Sequence, residues 1–178
     1  MSLSKREFLQ APGARRMRRS LLLAGASAML PSVASAGPLA LGDAVPWPKL
    51  TLLNGDVLQP RQWQGQAAVL VFFATTCPFC RRHNEHVEKL HQAAQVLPLR
   101  VLAVAQDSDA ELVRAYVREH RYHFPVTLDS AALRPLFSQR QIIPLTCVVD
   151  RAGKLREVLP GEMFEEDLLE MTRWAKAG

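Results

Sequence analysis

The chain has 178 residues, enough for one domain with a sizeable core, and carries 22 Lys/Arg against 17 Asp/Glu. That excess is local: residues 1–36 hold six basic residues and one acid, Glu7, so the remainder carries 16 of each sign. Charge therefore gives no ground for a nucleic-acid or anionic-membrane partner, and three cysteines in 178 residues do not make a disulfide-rich scaffold.

In chain order, Lys5, Arg6, Arg15, Arg16, Arg18 and Arg19 form a basic n-region, Leu21 to Leu30 a short apolar core, and Ala34-Ser35-Ala36 before Gly37 a cleavage pattern of small residues. Residues 1–36 are read as a signal peptide and residues 37–178 as one exported, periplasmic domain. Arg18-Arg19-Ser20-Leu21-Leu22 resembles a twin-arginine signal, and Ser4 to Leu9 is a weaker likeness; ordinary Sec export stays open, as does a start at Met17. An uncleaved leader would anchor the protein, since no charge occurs from Ser20 to Gly42, but Pro31, Pro38 and the glycines make a poor spanning helix.

After a Pro- and Gly-containing lead-in, Lys49 to Leu53 and Asp56 to Gln59 read as a β-hairpin turning at Asn54-Gly55. Ala67 to Phe73 is a continuous apolar run with β-branched and aromatic residues, the pattern of a strand buried on both faces. From Cys80 the apolar positions Val87, Leu90 and Ala94 recur at helical spacing. Leu99 to Ala105 is a second buried strand, and Asp107-Ser108-Asp109 caps a helix that turns Val113, Tyr116 and Val117 inward. Phe124 to Leu128, a short helix Ala131 to Phe137, a strand Leu145 to Val149, the turn Asp150 to Gly153 and a strand Lys154 to Leu159 follow. A helix Glu165 to Ala177 closes the chain, with Leu168, Leu169, Met171 and Trp174 for the core.

Cys77-Pro78-Phe79-Cys80 falls where the first buried strand gives way to its helix. A thiolate there faces unpaired N–H groups and the positive end of the helix dipole, which makes Cys77 the expected nucleophile. Cys80, one turn further in, is the expected resolving thiol, and the pair forms a redox-active disulfide, Cys77–Cys80. Pro78 suits the first helical turn, where no N–H is needed. Cys147, inside an apolar run, reads as a buried inert thiol.

The letters sort the rivals. A haem attachment motif needs His where Arg81 stands, and the peroxiredoxin pattern needs Pro and Thr or Ser where Leu70 and Ala74 stand. Cys77, Cys80, His83 and His86, with His91 near, fall at three-residue intervals and suggest zinc or copper, but on one helix they fan over a wide arc, so no metal and no cofactor is expected.

Val69 to Arg81, including the Cys-Pro-Phe-Cys motif, Phe124-Pro125-Val126-Thr127-Leu128-Asp129 and Ile143-Pro144-Leu145-Thr146 together resemble the thioredoxin superfamily, and within it the exported TlpA/ResA-like thiol-disulfide oxidoreductases. The resemblance implies an α/β, thioredoxin-like fold: a central mixed β-sheet flanked by helices, here with an N-terminal β-hairpin. It implies a reductase of protein disulfides, cytochrome c maturation being one setting, supplied by a membrane electron donor of the DsbD/CcdA kind and acting as a monomer. It also implies that Pro144 is a cis-proline which, with Ile143, binds the substrate chain. The family pattern is departed from at Thr76, Phe79 and Arg81 to Glu85. His83 stands where a glutamate is usual, so Pro78, Phe79, His83 and Glu85 are read as modulating positions, His83 either as a cation able to make redox poise pH-dependent near neutrality or as a plain surface or boundary histidine. A proline second in the motif leaves a DsbA-like oxidant open, and a copper- or zinc-binding chaperone on the same fold is the other alternative.

Overall fold

A computed structural model describes residues 37–176. The proposed signal peptide lies outside the described residues. The elements are β1 (Leu50–Thr51), β2 (Val57–Leu58), β3 (Ala67–Phe73), α1 (Pro78–Ala94), β4 (Leu99–Ala105), α2 (Ala110–His120), β5 (Val126–Thr127), α3 (Ser130–Phe137), β6 (Leu145–Val149), β7 (Leu155–Pro160) and α4 (Glu165–Glu170).

The five-stranded sheet runs β5-β4-β3-β6-β7, with β3 parallel to β4, β4 parallel to β5, and β6 antiparallel to both β3 and β7. β3 is the middle strand and every residue of it is buried, which is why it reads as an unbroken apolar run rather than an alternation. Its pleat divides the molecule. Val69, Val71 and Phe73 face a layer built from Val87 and Leu90 of α1, Val113 and Tyr116 of α2, and Leu168 of α4. Leu70 and Phe72 face the other layer, with Leu133 and Phe137 of α3, Leu50 and Trp63. The two crossovers β3-α1-β4 and β4-α2-β5 step in one direction across the sheet and lay their helices on one face, and the return through α3 covers the opposite face.

The hairpin of β1 and β2 pairs over only two positions, Leu50 with Leu58 and Thr51 with Val57. It is shorter than the sequence suggests because its first strand leaves β2 for the sheet edge. Leu52 bridges Thr127, the Leu53 N–H donates to the Val126 carbonyl at 2.7 Å, and the Thr127 hydroxyl donates to the Thr51 carbonyl at 2.7 Å. Gly55 at φ 94° supplies the left-handed turn residue. The expected C-terminal helix also differs: α4 ends at Glu170 and a 3-10 turn runs from Met171 to Ala175. The Thr172 hydroxyl donates back to the Leu169 carbonyl, and the Trp174 indole is fixed to Glu157 at 2.9 Å, so the last turn tightens and Leu169 and Trp174 are half-buried rather than core.

One buried carboxylate ties α1 to the loop before β5. Glu88 accepts from the His123 N–H at 2.7 Å, the Phe124 N–H at 3.3 Å, the His123 ring at 2.9 Å and Gln92 at 3.1 Å. Burial opposes its charge, yet these donors hold its carboxyl below the usual range. Glu88→Ala leaves the donors without an acceptor and is expected to lower unfolding free energy by about 2–3 kcal/mol in denaturant titration; a change below about 0.5 kcal/mol would show that water replaces the carboxylate.

Candidate active site

The dithiol sits at the C-terminal end of β3, where the strand stops at Phe73 and α1 begins at Pro78. Cys77 is the N-cap of α1, with extended backbone at φ −88° and ψ 113°, and its sulfur accepts the Cys80 N–H at 3.2 Å. A polar side chain is usual at this position, and here the thiol takes its place. Both cysteines are free thiols, Cys77 half-exposed and Cys80 fully buried. Burial pushes the Cys80 thiol up to about 12, with its hydrogen bond to Cys77, the Cys77 charge and the Asp107 charge adding to the effect.

Asp107 is a site residue that reading for motifs passed over as part of a capping run. Its two oxygens accept from the Thr75 N–H at 3.0 Å and the Thr75 hydroxyl at 2.6 Å, which pins the turn before Cys77 to the end of β4. Beside it lies a groove of about 480 Å³ lined by Thr75, Thr76, Cys77, Arg81, Leu112 and Glu119 among others, so Cys77 opens onto a cleft between α1 and α2.

His83 corrects the sequence reading. It is neither a surface residue nor a cation: it is 0% exposed, its Nδ1 accepts the Met163 N–H at 3.1 Å, and its Nε2 lies 3.1 Å from the Thr146 hydroxyl. Because Nδ1 is the acceptor, the proton of the neutral ring is on Nε2 and is donated to Thr146. Burial, with the nearby His86, pushes its pKa down to about 4, so the ring is uncharged near neutrality and confers no pH-dependent poise there. It joins α1, the start of β6 and the 161–164 loop instead. Glu85 points away from the core and is exposed. Phe79 is 56% exposed with the Arg82 guanidinium 5.0 Å from its ring centre, and Arg82 forms a two-pronged pair with Glu162 at 2.6 and 2.7 Å.

The Ile143-Pro144 peptide bond is cis, Pro144 is buried and Ile143 half-buried. Cys147 is fully buried on the face opposite the dithiol, where burial pushes its thiol up to about 12. Among the described residues, no group of three or more His, Cys, Asp or Glu is arranged to hold a metal ion. His83 has both ring nitrogens engaged within the protein.

A mixed five-stranded sheet with a dithiol at the N-terminus of the helix following its central strand defines a thioredoxin-fold protein. The AhpC/TSA family model matches residues 41–158, and the chain belongs to that family. It is 26% identical over 121 residues to the thiol-disulfide oxidoreductase ResA of Halalkalibacterium halodurans, covering 64% of this chain and 65% of the relative. It is 24% identical over 132 residues to ResA of Bacillus thuringiensis subsp. konkukian, covering 73% of this chain and 75% of the relative. Among solved structures it is similar in fold to a thiol:disulfide interchange protein of Chlorobium tepidum (TM-score 0.69, 20% identity, covering 77% of this chain and 98% of that one). StoA of Bacillus subtilis is likewise similar (TM-score 0.61, 19% identity, 73% and 99%).

Proposed function

We propose that this protein is an exported, periplasmic thiol-disulfide oxidoreductase that reduces protein disulfides. The observation that carries the reading is the asymmetry of the pair: one half-exposed thiol capping a helix, and one fully buried thiol whose pKa is pushed up to about 12. The Cys77 thiolate attacks one sulfur of a substrate disulfide, forming a mixed disulfide and releasing the first substrate thiolate. Cys80 then gives up its proton and attacks the Cys77 sulfur, releasing the second substrate thiolate. The protein is left as the Cys77–Cys80 disulfide, oxidised by the two electrons the substrate has gained. Once Cys77 is tied in the mixed disulfide it carries no charge, so one of the causes that hold the Cys80 proton is gone and the resolving step becomes easier.

Ile143 and Pro144 lie on the loop read as binding the substrate main chain, and Phe79 gives the motif an exposed apolar contact. The leader supports export, through cleavage or as an anchor. The resemblance to TlpA/ResA-like proteins supports cytochrome c maturation as one setting, a membrane donor of the DsbD/CcdA kind returning the electrons, and a monomer. Direction of flow is decided by the reduction potential of the mature dithiol. A reductase is expected near the thioredoxin value of about −270 mV and in any case below about −200 mV, whereas a value near about −120 mV would make the protein an oxidant of the DsbA kind.

A further inference from the structure

The loop 138–144 that leads into the cis bond has no regular structure, yet it is held from below by a charge that has no counter-ion among the described residues. Arg134 of α3 is 5% exposed, and its guanidinium lies 5.0 Å from the ring centre of Phe72 on the central strand. It forms no ion pair among the described residues. Its Nε donates to the Arg140 carbonyl at 3.1 Å, its Nη2 donates to the same carbonyl and, at 2.8 Å, to the Ile142 carbonyl, while Nη1 is buried without a partner. Burying a cation away from any carboxylate is costly, and an apolar side chain of similar length would fill the same space without that cost. What the guanidinium alone supplies is a rigid fork that fixes two carbonyls of one loop.

Those carbonyls matter because of what lies next to them. The Pro144 carbonyl accepts the Gly161 N–H at 2.9 Å, so the chain is tied at Ile142 on one side and at Pro144 on the other. Between the two ties, the N–H and carbonyl of Ile143 pair with nothing among the described residues. We infer that Arg134 is a positioning residue: its buried fork fixes the 140–142 carbonyls and thereby presents the Ile143 main chain, already oriented, to an extended substrate segment. This rests on the reading above, in which that loop binds a protein substrate. Ordering the loop in advance removes part of the entropy that substrate binding would otherwise have to overcome.

The test compares two substrates and one substrate-free measurement in Arg134→Met and Arg134→Lys. With insulin, Arg134→Met is expected to raise KM about tenfold with kcat changed less than twofold. With 5,5′-dithiobis(2-nitrobenzoate), too small to use the loop, the rate should stay within twofold. Arg134→Lys keeps the charge but cannot fork, so it should show the same split more weakly, and it carries the kinetic test if the Met variant does not fold. Equal losses on both substrates, or an unchanged KM for insulin, overturn the inference. Amide hydrogen exchange needs no substrate: the two hydrogen-bonded amides of the loop, Ser138 (to the Arg134 carbonyl) and Arg140 (to the Ser138 hydroxyl), should exchange at least tenfold faster in either variant while α1 is unchanged, and unchanged exchange of both overturns the clamp even if the protein reduces disulfides. A wild-type protein that reacts with the aryl disulfide but not with insulin sinks the functional reading, and the exchange result still decides the clamp.

Discussion

Replacing Cys80 with Ser is expected to make the protein accumulate mixed disulfides with its substrates, and replacing Cys77 with Ser to trap almost none and to abolish insulin reduction, a loss on the order of a hundredfold or more. The asymmetry follows from where the two sulfurs stand. Cys77 caps α1 at the mouth of the groove shared with α2 and is half-exposed. Cys80 is 0% exposed, and burial pushes its thiol up to about 12 and keeps it protonated at neutral pH, so it is both hidden from and unreactive toward an incoming disulfide. Its role begins only after Cys77 has brought a sulfur within reach. Non-reducing gels of the two variants, incubated with oxidised substrate, separate the outcomes, and equal trapping by both would sink the assignment.

How much of this was legible in the sequence varies with the distance over which each feature is determined. β3 and β6 are buried on both faces, as is β4 apart from the part-exposed Arg100, and their largely apolar runs mark them residue for residue. α1 and its dithiol follow from a local pattern: a strand, a cysteine at the N-cap, proline in the first turn and apolar spacing of three and four. The N-terminal hairpin was legible as a turn but not in its length, because the pairing of Leu52 and Leu53 with β5 lies some seventy residues away in the chain. The same limit applies to the site. His83, read by spacing alone, looks like one of a file of helix histidines beside a thiol. What decides its chemistry is Met163, 80 positions away, and Thr146, 63 positions away, and neither carries a signal of contact with it. Asp107 and Arg134 are hidden for a related reason. Asp107 resembles an ordinary member of a polar stretch, and Arg134 a lone charge on a short apolar helix, until the fold brings Thr75 to one and the 140–142 carbonyls to the other.

The buried histidine should leave a clear mark on stability against pH. In the unfolded chain its pKa is near 6.5, and in the folded protein it is pushed down to about 4 by burial and by His86. Between these values the unfolded chain takes up a proton that the native state refuses, so the native state loses stability as pH falls from 6.5 to 4, and the group contributes no slope above 6.5. The size is about 3 kcal/mol over the whole window. Glu88 and Asp150 also have lowered pKa values and add to acid sensitivity, but they are common to wild type and variant and cancel in the comparison; Glu162, lowered chiefly by its hydrogen bond to Arg82, cancels too except for the smaller part that His83 contributes. His83→Gln keeps one donor for Thr146 and one acceptor for the Met163 N–H without a titrating ring. At pH 7.5 it should be less stable than wild type by about 1–2 kcal/mol, since an amide replaces the ring in a close-packed site. As pH falls through the window the wild type loses what the variant does not, so the two stability curves should converge and cross between pH 6 and 4. Urea titrations at four or five pH values measure the difference directly. Curves that stay parallel down to pH 4 would mean that His83 takes its proton in the native state as easily as in the unfolded one, and the neutral Met163–His83–Thr146 chain would have to be given up.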